Sequence, residues 1–465
     1  MNEHTASETS PGSDRADPTD VAADPVTDQH HGHIGWIVAG TVIGGLLLAI
    51  ALVTIPFAGA TEHVIAGSVL LGFAAAWALL ALLSERWTDQ PQRWAIAPAV
   101  FMGLSGLIIL VLAPTGNEAG WVWPPALLAL VVWMFLRARR DLHSRIRFWL
   151  LYPVFVVLAL SAIGGGYETY REHADADKYA MPGRLIDVGD HKLHLHCRGT
   201  GSPTVVLEPG LGEPSTAMAW IAPAVANTTR VCVYDRAGRG WSEASEPKDG
   251  VQTATDLHTL LQRAGEQGPF VLAGHSAGGI YVLNFARRYP DEVAGVVLLD
   301  SMHPEQYTRI SGWPTFYEAF RRYTGVLPPL ARLGFGRILY RDAYAGLPAQ
   351  SRDEERAFLA TPRDSRSIRD EFSKLRTAMK QAGALHTLGD KPLMVLTARK
   401  DAQGGWAAAQ NDLARLSTNS KHRVLDNATH SMMTEDRATA EKSSQAIREV
   451  VDAVRTGQPL APSRA

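Results

Sequence analysis

Long apolar runs dominate the first third of the chain, and none of them contains a charged side chain. A helix needs roughly 20 apolar residues to cross the hydrocarbon core of a membrane. The pattern therefore predicts an all-α transmembrane block of about five helices within residues 34–166. The fourth run is the weakest, because Pro124 and Pro125 lie near its start. The runs are Ile34–Phe57, Val64–Leu83, Trp94–Leu112, Trp121–Leu136 and Phe148–Ile163.

Beyond residue 180 the pattern changes to short apolar runs separated by amphipathic, helix-like stretches. The runs are rich in Val and Leu, which is typical of strands buried on both faces of a parallel sheet. The first two predict a β-hairpin with Gly189 and Asp190 at its turn. We expect a mostly parallel, eight-stranded α/β domain with strands at Arg184–Val188, Lys192–Cys197, Pro203–Glu208, Arg230–Asp235, Phe270–Gly274, Gly295–Leu299, Pro392–Thr397 and His422–Leu425.

Three segments show neither pattern. Residues 1–33 are acidic and rich in Pro, Ser and Thr, so they bury too little apolar area to fold and are predicted to be a disordered tail. Residues 167–183 are predicted to be a linker, and residues 456–465 a flexible C-terminal tail. The formal net charge of -2 and the lack of basic stretches with interleaved aromatics argue against a nucleic-acid partner.

Arginine is unevenly distributed among the connections between the apolar runs. The second connection carries Arg86 and Arg93 and the fourth carries five arginines between Arg137 and Arg147, whereas the first and third, around Glu62 and Glu118, carry no Lys or Arg. The positive-inside rule therefore predicts a cytoplasmic N-terminus and an extracytoplasmic C-terminal domain. Because the runs contain no ionisable group, we interpret the block as an anchor rather than a transport pathway.

The clearest chemical signal is the segment Gly274–Gly278, whose sequence is GHSAG. It follows the apolar run that begins at Phe270 and precedes an amphipathic helical stretch that stops at Pro290. A nucleophile elbow needs this strand-turn-helix context, with glycines where the backbone passes closely. Ser276 is therefore the candidate nucleophile.

Residues 184–455 resemble the α/β-hydrolase superfamily. Besides the elbow, the segment Leu207–Gly212 is similar to that family's loop after the third strand, and Tyr234–Ser242 is similar to its D-R-x-G-x-G-x-S segment. The resemblance implies an oxyanion hole formed by the backbone amides of Leu211 and Ala277. We interpret Asp235 and Arg236, within the second segment, as structural ties.

The same resemblance implies a division of the domain. The core comprises residues 184–301 and 389–455, and residues 302–388, between strands six and seven, form a helical lid. The lid sequence contains an aromatic stripe, which is as typical of a core as of a substrate pocket, so none of its members is assigned to binding.

A serine nucleophile needs a base that is oriented by an acid, and in this fold the chain order is serine, acid, histidine. His430 follows the last predicted strand and is the expected base. Asp401, after the seventh strand, is the preferred acid, and Asp300, at the end of the sixth, is the alternative. A serine at the elbow disfavours epoxide hydrolases and haloalkane dehalogenases, which resemble this family but need Asp there.

Only two cysteines occur, Cys197 and Cys232. The family's strand order makes their strands neighbours, so a disulfide and two buried free thiols both remain open.

Together these features predict a membrane-anchored serine hydrolase that cleaves a carboxylic ester, without metal or organic cofactor. The expected partners are membrane lipids and a small-molecule ester or lipid-like substrate. Alternatives are an acyltransferase or aminopeptidase-like member of the same superfamily, or an inactive membrane-tethered binding protein.

Overall fold

The protein is described from a computed structural model, which covers residues 34–54, 61–113, 119–143, 145 and 147–460. The predicted acidic tail, the connection around Glu118 and the last five residues lie outside the described residues.

Within the described residues, five helices form the N-terminal block, and each is long and apolar enough to cross a membrane. This confirms the predicted number, including the fourth helix, which contains Pro124 and Pro125. The last helix continues to Lys178, so most of the segment predicted as a linker at 167–183 is helical, because no Gly or Pro follows Gly166 until Pro182. The helices are α1 (Ile34–Thr54), α2 (Glu62–Trp87), α3 (Ile96–Leu112), α4 (Ala119–Asp141) and α5 (Tyr152–Lys178).

Close contacts and a small aromatic cluster hold the block together. A Cβ added to Gly72 would lie 2.6 Å from the Cβ of Ala49, so α1 and α2 pack at a distance that only small residues permit. Trp77 stacks on Phe155 with ring centroids 6.1 Å apart, and this joins α2 to α5.

The C-terminal domain is built on one eight-stranded sheet, as predicted. The spatial order is β1-β2-β4-β3-β5-β6-β7-β8; β2 is antiparallel to β1 and β4, and all other pairs are parallel. The strands are β1 (Arg184–Asp187), β2 (Lys192–Arg198), β3 (Val205–Glu208), β4 (Val231–Tyr234), β5 (Phe270–His275), β6 (Val293–Leu299), β7 (Leu393–Ala398) and β8 (Ser420–Leu425).

Helices cover both faces of the sheet, because successive residues of the central strands point to opposite sides. On β3, Val205 and Leu207 belong to one core, while Val206 belongs to the other. The helices of this domain are α6 (Ile221–Ala226), α7 (Gly250–Ala264), α8 (Gly278–Arg288), α9 (Gln306–Arg309), α10 (Trp313–Arg332), α11 (Phe335–Leu339), α12 (Ala349–Leu359), α13 (Pro362–Ala382), α14 (Trp406–Ala414), α15 (Met432–Glu435) and α16 (Arg437–Thr456).

Helices α9–α13 lie between β6 and β7 and occupy the segment expected to be a lid. They pack on the membrane block. Arg337 of α11 donates to Glu168 of α5 at 2.8 and 2.9 Å, and Arg332 of α10 and Arg366 of α13 each donate to Glu62 of α2 at 2.6 Å. The lid therefore joins the sheet domain to the ends of α2 and α5.

Cys197 and Cys232 face each other in the register of β2 and β4, and the structure joins them in a disulfide. Of the two states that the sequence left open, the structure contains the disulfide.

Candidate active site

The loops at the carboxyl ends of the parallel strands meet at one edge of the sheet. Glu208 of β3 pairs with Gly274 of β5, and His275 pairs with Leu299 of β6, so the loops that follow these strands are neighbours. Ligand sites of open α/β sheets form at this edge.

Ser276 lies in the left-handed region of backbone conformation, with φ 53°, between β5 and α8. Its amide donates to the carbonyl of Leu299 at 3.1 Å. Glycine is required around it: a Cβ on Gly274 would lie 2.6 Å from the backbone carbon of Gly278, and a Cβ on Gly278 would lie 2.4 Å from the carbonyl oxygen of Glu208. This is the strained turn that the GHSAG segment predicted.

The loop after β3 lies against the start of α8 and is fixed by side chains. The amide of Gly210 donates to Glu213 at 2.8 Å, and that of Gly212 donates to Glu371 of the lid at 2.8 Å. The amides on both sides of Leu211 are therefore already used within the protein. The amide of Ala277 lies at the N-terminal end of α8, where helix dipoles favour negative charge.

His430 reaches the same edge from the loop after β8. Its Nδ1 lies 2.6 Å from Oδ2 of Asp300. Oδ1 of Asp300 accepts from the amide of Ala398 at 3.0 Å and from Nε1 of Trp406 at 2.8 Å. The protein thus fixes Oδ1 of Asp300, and Oδ2 is available to orient the imidazole of His430.

The preference for Asp401 as the partner of this ring is not met by the geometry. Both oxygens of Asp401 accept from the backbone amide of His430, at 3.0 and 3.1 Å, and neither contacts the imidazole. Asp300 follows the last residue of β6, and its side chain reaches past the end of β7 to His430. Asp300, the alternative acid, is therefore the carboxylate that contacts the imidazole.

Ser276 and His430 both lie at this edge, but among the described contacts no hydrogen bond joins Oγ of Ser276 to Nε2 of His430. Hydrogen bonds between catalytic groups are often long without substrate and tighten in the complex. The two residues are linked through His275, whose ring stacks on that of His430 with centroids 4.7 Å apart.

A buried His–Glu pair supports this arrangement. Burial alone would lower the pKa of His275, but the Glu213 carboxylate, 3.4 Å from its Nδ1, outweighs burial and raises it. Nε2 of His275 faces the carbonyl of His430 at 3.3 Å. Since both ring nitrogens face acceptors, the site suits a protonated imidazole that holds the backbone of His430.

Asp235 and Arg236, which were expected to be structural ties, form hydrogen bonds that hold neighbouring loops. Asp235 accepts from Nδ1 of His194 at 2.8 Å and from the amide of Trp241 at 3.1 Å. Arg236 donates to the carbonyl of Pro209 at 2.9 Å and to Glu371 at 2.5 Å. Burial would raise the pKa of Glu371, but Arg236 and Arg239 outweigh it and lower that pKa, so the loop is held by a charged lid residue.

Sequence reasoning missed three of these contributors. Glu213 and Trp406 are not part of any motif, and Glu371 lies in a lid helix whose placement over the loop has no signal in the sequence. Only the tertiary structure brings them to this edge.

The chain matches the family model of the alpha/beta hydrolase fold over residues 203–436. That is half of its length, and the chain belongs to this family. It is 28% identical over 162 residues to the uncharacterized protein YbdG of Bacillus subtilis, covering 34% of this chain and 50% of that protein. It is also 28% identical over 296 residues to the uncharacterized protein C23C11.06c of Schizosaccharomyces pombe, covering 55% of this chain and 54% of that protein. The chain thus spans about half the length of these curated relatives.

Among solved structures, the chain is similar to the Cif epoxide hydrolase from Acinetobacter nosocomialis, with a TM-score of 0.51 and 16% identity. The superposition covers 61% of this chain and 96% of that one. At this identity the similarity shows the fold alone.

Proposed function

We propose that the protein is a membrane-anchored serine hydrolase that cleaves a carboxylic ester through Ser276, His430 and Asp300. The observation that carries this proposal is the 2.6 Å contact between His430 and Asp300 beside a serine held at positive φ. That contact fixes which imidazole nitrogen is free to serve as base.

In the proposed reaction, Nε2 of His430 takes the proton of Ser276 as Oγ attacks the ester carbonyl. The amides of Leu211 and Ala277 stabilise the oxyanion. His430 then gives the proton to the leaving alcohol, and in the second half it activates the water that hydrolyses the acyl-enzyme. Asp300 stabilises the imidazolium, and Asp401 fixes the backbone of His430.

The proposal places this domain on the outer side of the membrane. The lid meets α2 at Glu62, in the connection that lacks arginine, and meets α5 near Glu168. The arginine-bearing connections lie together elsewhere: Gln92, beside Arg93, donates to the carbonyl of Asp141 in the last turn of α4. The arginine distribution and the attachment of the lid thus support the same orientation.

The test is hydrolysis of p-nitrophenyl esters of increasing acyl length by the full chain in detergent. We expect wild type to cleave some of these esters and Ser276→Ala to lose at least about 10³-fold in kcat. Ser431→Ala, an exposed serine next to His430, is the matched control and should remain active. An inactive wild type, or an active Ser276→Ala, would contradict the proposal.

A further inference from the structure

A cavity of about 1250 Å³ lies between the membrane helices and the lid. Its walls come from α2, α3, α4 and α5 on one side and mainly from α10, α13 and the segment after β4 on the other, with single side chains of β2, β4 and α8 and two of α7. Small-molecule sites usually enclose roughly 300–1,000 Å³, so this space is larger than an ordinary substrate pocket. Ser276, His430, Asp300 and Leu211 are not among the described residues that line it.

The wall formed by the helices is apolar. It includes Val69 and Phe73 of α2, Ile108 of α3, Leu127 of α4 and Val157 of α5. All four helices are long and apolar enough to cross a membrane, so this wall lies where hydrocarbon chains are the surrounding medium. An acyl chain is the ligand that such a wall accommodates.

The wall formed by the hydrolase domain is cationic. Eight lining residues are Lys or Arg and five are Asp or Glu, and all eight cations belong to this domain. Two of them, Arg332 and Arg366, contact Glu62 at the first residue of α2, so the cationic wall lies where α2 leaves the predicted membrane. Phosphate groups of a bilayer lie at this level.

Two cations have donors that the protein does not satisfy. Lys374 of α13 is half-buried, and within the described residues its ammonium group has no hydrogen-bond or ion-pair partner. Nη2 of Arg332, whose Nε donates to Glu62, is buried without an acceptor among the described residues. An anionic group beside the ammonium of Lys374 would supply an acceptor.

We propose that this cavity binds an anionic phospholipid, with its acyl chains among α2–α5 and its phosphate at the cationic wall beside Lys374. The apolar wall at membrane depth and the cationic wall at its end together select an anionic amphiphile that enters from the bilayer. The inference goes beyond the proposed hydrolysis: Ser276, His430 and Asp300 are not among the described residues that line the cavity, although Arg236 and Glu371, which hold the loop after β3, do line it.

Native mass spectrometry of the delipidated full chain in detergent tests the proposal. The probes are dioleoyl phosphatidylglycerol, dioleoyl phosphatidylcholine and oleate, each titrated separately. We expect a one-to-one complex with phosphatidylglycerol that is about tenfold tighter than with phosphatidylcholine, because the choline cation of phosphatidylcholine is repelled by the cationic wall. Equal affinity for the two phospholipids, or binding of oleate but not of phosphatidylglycerol, would overturn the proposal.

Paired variants locate the site. Lys374→Glu should weaken phosphatidylglycerol binding about tenfold or more, whereas Lys380→Glu, an exposed lysine of the same helix, should not. Val69→Trp should fill part of the apolar wall and weaken binding, whereas Leu82→Trp, 65% exposed on the same helix, should not. If each variant binds like its control, the cavity is not the lipid site.

The result is separable from the esterase proposal. Ser276→Ala should bind phosphatidylglycerol as wild type does. Lipid binding without ester hydrolysis would support the lipid site and contradict the esterase proposal. Ester hydrolysis without lipid binding would support the esterase proposal and contradict the lipid site.

Discussion

Asp300 is the residue whose surroundings say most about the proposed chemistry. Its side chain is 3% exposed, and its two oxygens have different partners: Oδ1 accepts from the protein frame and Oδ2 contacts His430. A carboxylate held in this way keeps the imidazole in one tautomer without reorganisation during the reaction. Asp401 holds the same histidine by its backbone only.

We therefore expect substitution of Asp300 and substitution of Asp401 to lower kcat by different amounts. Asp300→Asn should lower kcat by about 10³- to 10⁴-fold, because the amide favours the wrong tautomer of His430. Asp401→Asn retains one acceptor for the backbone amide, and we expect a loss of less than about tenfold. Steady-state kinetics with the best ester of the chain-length series compares the two. A larger loss in Asp401→Asn would restore Asp401 as the acid.

The buried carboxyl group of Glu355 should make the stability of the protein depend on pH. Burial raises its pKa well above the usual 4.5, and the nearby carboxylates of Glu213 and Asp364 add to the effect, although Thr216 donates to it. The folded state therefore keeps a proton that the unfolded state releases above about pH 4.5, so stability falls as pH rises through and beyond that value.

Glu355→Gln cannot lose this proton. We expect its melting temperature in detergent to exceed that of wild type at pH 8, with the advantage shrinking toward pH 5. Glu441→Gln, at an exposed glutamate, is the control and should show no such trend. A Glu355→Gln variant with an unchanged pH profile would show that Glu355 is already ionised in the folded protein.

Among the individual site residues, those that belong to a sequence motif or follow a predicted strand could be predicted from the sequence. Ser276 and His430 lie where the strand pattern and the GHSAG segment put them. Asp300 and Asp401 both follow strands, and sequence spacing does not show which carboxylate points at the imidazole. That depends on side-chain direction across β7, which the tertiary packing decides.

Among the elements, α11 and the C-terminal part of α5 form a charged contact between lid and membrane block. Arg337 donates to Glu168 and Asp175, whose side chains are 2% and 8% exposed, and is itself 14% exposed. Removing one partner of a buried ion pair leaves an uncompensated charge, and typically costs about 3–5 kcal/mol.

Arg337→Gln should therefore loosen the lid from the membrane helices. We expect a lower melting temperature in detergent and faster amide hydrogen exchange in residues 313–339. Arg341→Gln removes an arginine that is 78% exposed and should be near neutral, within about 1 kcal/mol. Equal exchange in the two variants would mean that this contact does not hold the lid.

The elements themselves were largely predictable. Apolar runs located all eight strands to within about two residues, and most clearly the central ones, because strands buried on both faces are nearly continuous in hydrophobicity. The exception is the C-terminal part of α5, which was expected to be a linker. Its charged residues end the membrane-type pattern but not the helix, since Glu168 and Asp175 are paired with Arg337.

The whole molecule couples a membrane block to a hydrolase-fold domain through the lid. In the orientation we propose, the disulfide between Cys197 and Cys232 lies on the oxidising side of the membrane, where such bonds persist. The arginine connections then face the cytoplasm.

Reporter fusions test this orientation. Alkaline phosphatase fused after Ala465 should be active, because it folds only outside the cytoplasm, and green fluorescent protein at the same position should be dark. Fusion after Leu142, in the arginine-bearing connection, should give the opposite pair of signals. A fluorescent fusion after Ala465 would place the hydrolase domain in the cytoplasm.

The central claim is that Ser276 is an activated nucleophile, and labelling with a fluorophosphonate probe tests it most directly. We expect the purified full chain to be labelled, peptide mass spectrometry to find the adduct on Ser276, and Asp300→Asn to be labelled more slowly than wild type. Labelling that persists in Ser276→Ala, or no labelling of the folded wild-type protein, would contradict it.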